Sequence, residues 1–100
     1  MKSITEGHSY ELDSFEGTKT QTIKFIHKRL NSNGDLETVS DGTTNEELLK
    51  VLIDRLSVLN NKFPCRENSI AITKIEEALM WLEKRTKNRI ERGVEGKHVA

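Results

Sequence analysis

The sequence predicts an α+β protein in which an N-terminal antiparallel β-hairpin region precedes a long antiparallel helical hairpin, the whole assembling as an oligomer. One observation behind this fold class is a run of alternating apolar and polar residues followed by Asn33-Gly34, a pair suited to a tight turn. The other is a pair of segments with helical apolar spacing, separated by one short break. A chain of 100 residues is expected to form a single domain with one modest core.

The first 40 residues are expected to hold the β structure. Residues 1–19 mix Gly, Ser and acidic side chains without periodicity, which indicates an irregular arm that could still contribute a short strand. Residues 20–40 are then the β-hairpin, with one strand over Thr20–Leu30, a turn, and a returning strand over Leu36–Ser40.

The helical hairpin is expected over residues 44–92. Thr44 and Glu47 fit a capping box that opens the first helix, and the apolar face of that helix continues to about Asn60. Pro64 suits the first turn of a second helix. The two helices are therefore expected to pack against each other in antiparallel directions.

The second helix is expected to continue to about Arg92, where Gly93 and Gly96 stop it and leave residues 93–100 as a tail. Because the first helix is much shorter than the second, it cannot cover the whole second helix. The apolar surface that remains predicts packing on the β-hairpin or on another subunit, and self-association is the simplest way to bury it.

An apolar stripe on the second helix runs into arginines. The stripe has four positions at alternating four- and three-residue spacing: Ala71, Ile75, Ala78 and Leu82. The same spacing continues through Arg85, Arg89 and Arg92. Guanidinium groups match phosphate oxygens, so this stripe could bind an anion. The alternative is a solvated helix end, where arginine suits the helix dipole and nearby glutamates neutralise it.

Asn68 lies one turn before the stripe and is an unusual residue for an apolar seam. With Arg66 it places hydrogen-bonding groups at the start of a helix, where they could read a base edge or hold a ribose. The alternative is a helix cap or an interhelical hydrogen bond that sets register.

Two aromatic residues and one histidine are the remaining candidates for ligand binding. Phe63, before a proline, and Phe25, on the strand, could stack on a purine, although both residues are more often part of a core. His98 follows a glycine-bounded segment that could close over a ligand or could be a frayed terminus.

Composition excludes several classes of protein. Sixteen basic and sixteen acidic residues give no net charge, which argues against general nucleic-acid binding. Cys65 is the single cysteine, so no intrachain disulfide forms, and a reducing, cytoplasmic location is expected. Residues 1–11 contain no apolar region of the kind found in secretion signals, and no apolar run is long enough to span a membrane, so neither secretion nor membrane insertion is expected. No metal-ligand spacing, phosphate loop or cofactor motif is evident, and no nucleophile and base pair indicates an enzyme.

Several segments, in this order and spacing, resemble a known family. They are Asp41-Gly42-Thr43-Thr44-Asn45-Glu46-Glu47-Leu48-Leu49, Phe63-Pro64-Cys65-Arg66-Glu67-Asn68, Glu76-Glu77-Ala78-Leu79-Met80-Trp81-Leu82, Arg85-Thr86 and Arg92-Gly93-Val94-Glu95-Gly96. Over roughly residues 20–100, the chain resembles the phage Thoeris anti-defence sponge family, which shares its helical hairpin with the phage anti-CBASS cyclic-dinucleotide sponges.

This resemblance implies a protein that sequesters immune signalling nucleotides without cleaving them, chiefly a cyclic ADP-ribose isomer such as glycocyclic ADP-ribose. In some members the ligands include cyclic di- and trinucleotides. It also implies dimers and often hexamers, with pockets between subunits, acting in the cytoplasm of the infected host cell. The site residues that it implies are Asn68, Arg85, Arg89 and Arg92, followed by Phe63, Arg66, Phe25, Asp41 and His98.

Two other functions remain open at this point. One is a small regulator associated with nucleic acid through the arginine face, against which zero net charge counts. The other is a structural oligomer without a ligand, against which the polar ends of the apolar stripe count. Asn68 and Arg85 are 17 residues apart, about 25 Å along one helix. Two antiparallel copies of this helix would bring Asn68 of one chain near Arg85 of the other.

Overall fold

Five short strands precede two helices in the computed structural model, which describes residues 1–94. The strands are β1 (Lys2–Thr5), β2 (Ser9–Asp13), β3 (Thr20–Lys24), β4 (His27–Leu30) and β5 (Leu36–Ser40). The helices are α1 (Asn45–Lys62) and α2 (Arg66–Glu91). The strands belong to one compact unit, Met1–Thr44, and the helices to a second unit that begins at Asn45. These elements confirm the α+β class and the helical hairpin.

The irregular arm expected over residues 1–19 contains two strands instead. β1, β2 and β3 form an antiparallel sheet in that order, and Gly7 and Gly17, both with positive φ, lie in the turns that connect them. The strands are four or five residues long, and β1 is exposed along its whole length. β1 is polar and exposed, and β2 has only two apolar positions, Tyr10 and Leu12, so each strand is too short to give a clear periodic signal in the sequence.

The single strand expected over Thr20–Leu30 is divided into β3 and β4, and this part of the β-hairpin prediction was wrong. β3 pairs with β2, whereas β4 pairs with β5 in a separate two-stranded sheet. The predicted turn between β4 and β5 is present, with Gly34 at positive φ. Asn31 stabilises that turn, because its side-chain oxygen accepts hydrogen bonds from two backbone N–H groups within the turn.

Backbone hydrogen bonds from distant residues cause the division at Phe25. The Phe25 N–H donates to the His8 carbonyl at 2.7 Å, and the Thr43 N–H donates to the Lys24 carbonyl at 2.8 Å. Position 42 needs a glycine, because a Cβ at this position would lie 2.6 Å from the Lys24 carbonyl oxygen. The loop after β5 therefore packs on the backbone between β3 and β4, a contact that alternation of residue types cannot reveal.

The helical hairpin confirms the prediction for residues 44–92 to within a few residues at each end. Its seam on α2 differs from the predicted stripe. The protected positions with alternating four- and three-residue spacing are Asn68, Ile72, Ile75, Leu79, Leu82, Thr86 and Arg89. Ala78, Arg85 and Arg92 are exposed. The apolar face of α2 was wide enough to hold two adjacent lines, and packing against α1 selects positions from both.

Much of the apolar surface of each unit is open. Among residues 1–94, no hydrophobic side chain is fully buried, and large side chains such as Val51, Trp81 and Ile90 are exposed. Neither helix in this part of the chain is both long and apolar enough to cross a membrane.

Candidate functional site

The three predicted arginines near the end of α2 lie in different surroundings. Arg89 is only 4 % exposed, whereas Arg85 and Arg92 are exposed. The Arg89 guanidinium donates a hydrogen bond from Nη2 to the Val94 carbonyl at 3.0 Å. The Arg92 guanidinium donates from Nε to the Asn88 side-chain oxygen at 2.8 Å. The expected stripe of three equivalent guanidinium groups is therefore divided, because only Arg89 occupies the seam.

Arg85 is the arginine of this group that is most available to an anion. Its guanidinium forms no hydrogen bond and no ion pair with any other residue within 1–94. Because the residue is exposed, this guanidinium can donate hydrogen bonds to a phosphate without breaking an existing contact.

Phe63, Arg66 and Asn68 lie in the segment where α1 turns into α2. Phe63 is 81 % exposed, and Arg66 is exposed at the first position of α2. Asn68 is half-buried, and its carboxamide forms no hydrogen bond within the described residues. The turn therefore presents an aromatic ring, a cation and a carboxamide, which are groups that can bind a nucleotide base and its phosphates.

The helix cap that was considered for Asn68 belongs to Cys65. The Cys65 backbone is extended, with φ −150° and ψ 156°, and its Sγ accepts a hydrogen bond from the Asn68 N–H at 3.4 Å. The cap therefore uses only the backbone of Asn68 and leaves its side chain available.

Phe25 and Asp41 lie in the strand unit. The Phe25 ring is half-buried and meets the Tyr10 ring edge to face, with centroids 5.9 Å apart. Asp41 is exposed, and its carboxylate accepts a hydrogen bond from the Gly42 N–H at 2.8 Å. Phe25 therefore has a packing role, and Asp41 orders the loop that packs at Gly42. His98 lies outside the described residues.

Two groups that were not predicted from the sequence are prominent in the structure. His8 and His27 stack with ring centroids 3.7 Å apart, although 19 positions separate them in the chain. Asn60 connects the end of α1 to the start of α2 through two hydrogen bonds. The role of Asn60 could have been suspected from the sequence, since an asparagine at a helix end beside a short link commonly bonds the backbone. No sequence pattern indicates the stacking of the two histidines.

One groove between the two helices contains none of the predicted arginines. It has a volume of about 690 Å³ and an apolar floor that includes Ile53 and Leu79. Its rim carries one ammonium group and three carboxylates, from Lys50, Asp54, Glu76 and Glu83. A rim with excess negative charge disfavours the binding of phosphate in this groove.

The candidate residues of the helical unit lie in two groups at opposite ends of α2. Asn68 and Arg85 are about 25 Å apart along the helix axis. Among residues 1–94, no cluster of three or more His, Cys, Asp or Glu side chains could hold a metal ion. No single group of candidates therefore forms a complete pocket for a small bis-phosphate ligand in the helical unit.

Comparison with known proteins places this helical arrangement in a family. Residues 22–87 match the family model described as Acb2/Tad1, hairpin domain. The chain is also 48 % identical over 87 residues to Thoeris anti-defense 1 of Bacillus phage SBSphiJ7. That alignment covers 81 % of this chain and 61 % of the relative, so the chain spans about three fifths of the relative's length. The resemblance found in the sequence is confirmed, and the chain belongs to the Acb2/Tad1 hairpin family.

Proposed function

We propose that this chain binds cyclic nucleotide immune signals and sequesters them without cleavage, thereby inhibiting host anti-phage defence. The observation that carries this proposal is the exposed Arg85 guanidinium, which has no partner within residues 1–94 and lies on the family's helical hairpin. The name of the phage relative, Thoeris anti-defense 1, supports the anti-defence part of this proposal. The site of action in this proposal is the cytoplasm of the infected host cell.

The ligand that we propose first is glycocyclic ADP-ribose, with cyclic di- and trinucleotides as further ligands. Such molecules carry phosphates and purine bases, and a phosphate and a base are bound by different kinds of protein group. Arg85 supplies charge-assisted hydrogen bonds to phosphate, each contributing about 1.5 to 3 kcal/mol. The exposed Phe63 ring supplies a stacking surface for a base, and the unbonded Asn68 carboxamide can donate and accept at a base edge.

The complete pocket in this proposal lies between two subunits. Asn68 and Arg85 are too far apart on one helix to bind one small nucleotide, but two antiparallel α2 helices would place Asn68 of one subunit near Arg85 of its partner. The apolar side chains left open on the helices, including Trp81 and Ile70, supply a surface for this association. The protein thus acts as a homo-oligomer, a dimer or a hexamer, without a cofactor.

Calorimetric titration of Arg85→Gln with glycocyclic ADP-ribose and with a 3′,3′-cyclic dinucleotide tests the role of Arg85. Loss of one charge-assisted phosphate contact should lower affinity about 10- to 150-fold. The matched control is Arg55→Gln, which replaces an exposed arginine of α1 and should bind as the parent does. Equal affinity of Arg85→Gln and the parent would remove Arg85 from the site.

Mass spectrometry of the small molecules released by heat tests sequestration against cleavage. Protein purified from cells that make cyclic nucleotides should release an intact nucleotide, because a sponge returns its ligand unchanged. Recovery of a hydrolysed nucleotide would contradict the sponge and indicate an enzyme.

A further inference from the structure

We propose that Asn60 is a positioning residue of the nucleotide site, which holds Phe63 and Asn68 in the orientation in which they meet the ligand. This inference rests on the proposed function and extends it to a residue that does not contact the nucleotide. It is based on the hydrogen bonds at the turn between α1 and α2.

The Asn60 carboxamide uses both of its polar atoms to connect the two helices. Its oxygen accepts a hydrogen bond from the Cys65 backbone N–H at 3.0 Å. Its nitrogen donates a hydrogen bond to the Ser69 hydroxyl at 3.1 Å. Asn60 is half-buried in the last turns of α1, whereas Cys65 and Ser69 belong to the cap and first turn of α2. One side chain therefore determines how α2 begins relative to the end of α1.

Asn68 depends on this connection through Cys65. Cys65 caps α2 by accepting a hydrogen bond from the Asn68 N–H, and its carbonyl accepts another from the Ser69 N–H at 3.2 Å. Without Asn60, the Cys65 N–H loses its partner, and the extended backbone of the cap is held less firmly. The first turn of α2, which presents the Asn68 carboxamide, then becomes less ordered.

Phe63 depends on the same connection through the backbone on both of its sides. Its ring is 81 % exposed, so packing contributes little to its direction. The Phe63 N–H donates to the Leu59 carbonyl at 3.0 Å, which ties the residue to α1. On the other side the chain is tied only two residues later, where Cys65 bonds to Asn60. Asn60 therefore restricts the segment that carries the ring.

The expected effect is on affinity, because a nucleotide binds only those molecules whose turn has the binding conformation. If the turn adopts this conformation in a fraction of molecules, the apparent affinity falls by that fraction. Losing two hydrogen bonds should lower the affinity of Asn60→Ala for glycocyclic ADP-ribose about 10- to 30-fold. Asn60→Asp should rescue binding to within about threefold, because a carboxylate accepts from both the Cys65 N–H and the Ser69 hydroxyl.

The experiment combines calorimetric titration with hydrogen exchange on the full chain. The variants are Asn60→Ala, Asn60→Asp and the matched control Asn61→Ala, which removes the exposed neighbouring asparagine. In the absence of nucleotide, the Cys65 amide should exchange faster in Asn60→Ala and at about the parent rate in the other two. Affinity for glycocyclic ADP-ribose should follow the same order. If Asn60→Ala does not fold, Ser69→Ala removes one of the two bonds and should show a smaller loss in both measurements.

Three results would overturn the proposal in distinguishable ways. Parent-like affinity of Asn60→Ala with faster Cys65 exchange would mean that Asn60 holds the turn but does not position the site. Equal loss of affinity in Asn60→Ala and Asn60→Asp would mean that the side chain contacts the nucleotide itself. A parent that binds neither glycocyclic ADP-ribose nor a 3′,3′-cyclic dinucleotide would overturn the proposed function, and the positioning role with it.

Discussion

Replacing Arg89 with alanine should destabilise the fold strongly, whereas the same change at Arg85 should not. Arg89 is 4 % exposed, and Nη2 donates to the Val94 carbonyl at 3.0 Å. A hydrogen bond from a charged group contributes about 1.5 to 3 kcal/mol. Its buried methylene groups add about 0.8 kcal/mol each. Arg89→Ala should therefore lower the free energy of unfolding by about 3 to 5 kcal/mol. Arg85→Ala, which removes an exposed side chain, should change it by less than about 0.5 kcal/mol.

Urea unfolding followed by far-ultraviolet circular dichroism measures this difference. All variants are compared at one protein concentration, because association would make the midpoint depend on it. A loss of 3 kcal/mol lowers the urea midpoint by about 1 M or more. Arg89→Met, which retains much of the buried volume, should lie between Arg89→Ala and the parent. Equal midpoints for Arg85→Ala and Arg89→Ala would refute the structural role assigned to Arg89.

Three further substitutions test other parts of the structure. Gly42→Ala should destabilise the strand unit by about 1 to 3 kcal/mol, because its Cβ would lie 2.6 Å from the Lys24 carbonyl oxygen; an unchanged melting temperature would contradict this contact. Cys65→Ser should raise the free energy of unfolding by about 0.5 to 1 kcal/mol, since a hydroxyl caps a helix better than a thiol. A lower urea midpoint than that of the parent would argue against the cap. Trp81→Glu should reduce the molar mass in sedimentation equilibrium, because Trp81 is 59 % exposed and belongs to the proposed subunit contact; a parent that sediments only as an 11.4 kDa monomer would refute that contact.

The sequence was most informative where the structural signal is local. Apolar periodicity and the turn residues predicted both helices and the β4–β5 turn at Gly34, because each depends on neighbours within a few positions. The strands β1 and β2 were missed because they are only four and five residues long: β1 is wholly exposed, and the alternation in β2 rests on Tyr10 and Leu12 alone. The division after β3 was missed because its cause is the distant backbone at Gly42.

The site shows the same division between local and distant signals. Helical spacing placed Asn68 and the arginines on α2, but it could not decide which arginine enters the seam. In the structure Arg89 is buried and bonded to the Val94 carbonyl, whereas Arg85 is exposed. The role of Asn60 needed the structure, because its partner Ser69 lies beyond a turn whose geometry is not evident from residue types.

Whether the chain binds a cyclic nucleotide at a site shared by two subunits is tested most directly by a mixing experiment. Asn68→Ala and Arg85→Ala should each bind glycocyclic ADP-ribose weakly in calorimetric titration, because each homodimer lacks one half of every pocket. A dissociated and reassociated equimolar mixture should regain parent-like affinity at about one quarter of the dimer pockets, since half of the dimers are mixed and each mixed dimer has one intact pocket. No recovery in the mixture, with weak binding by both single variants, would contradict a pocket built from two subunits, and no binding by the parent would contradict the nucleotide sponge.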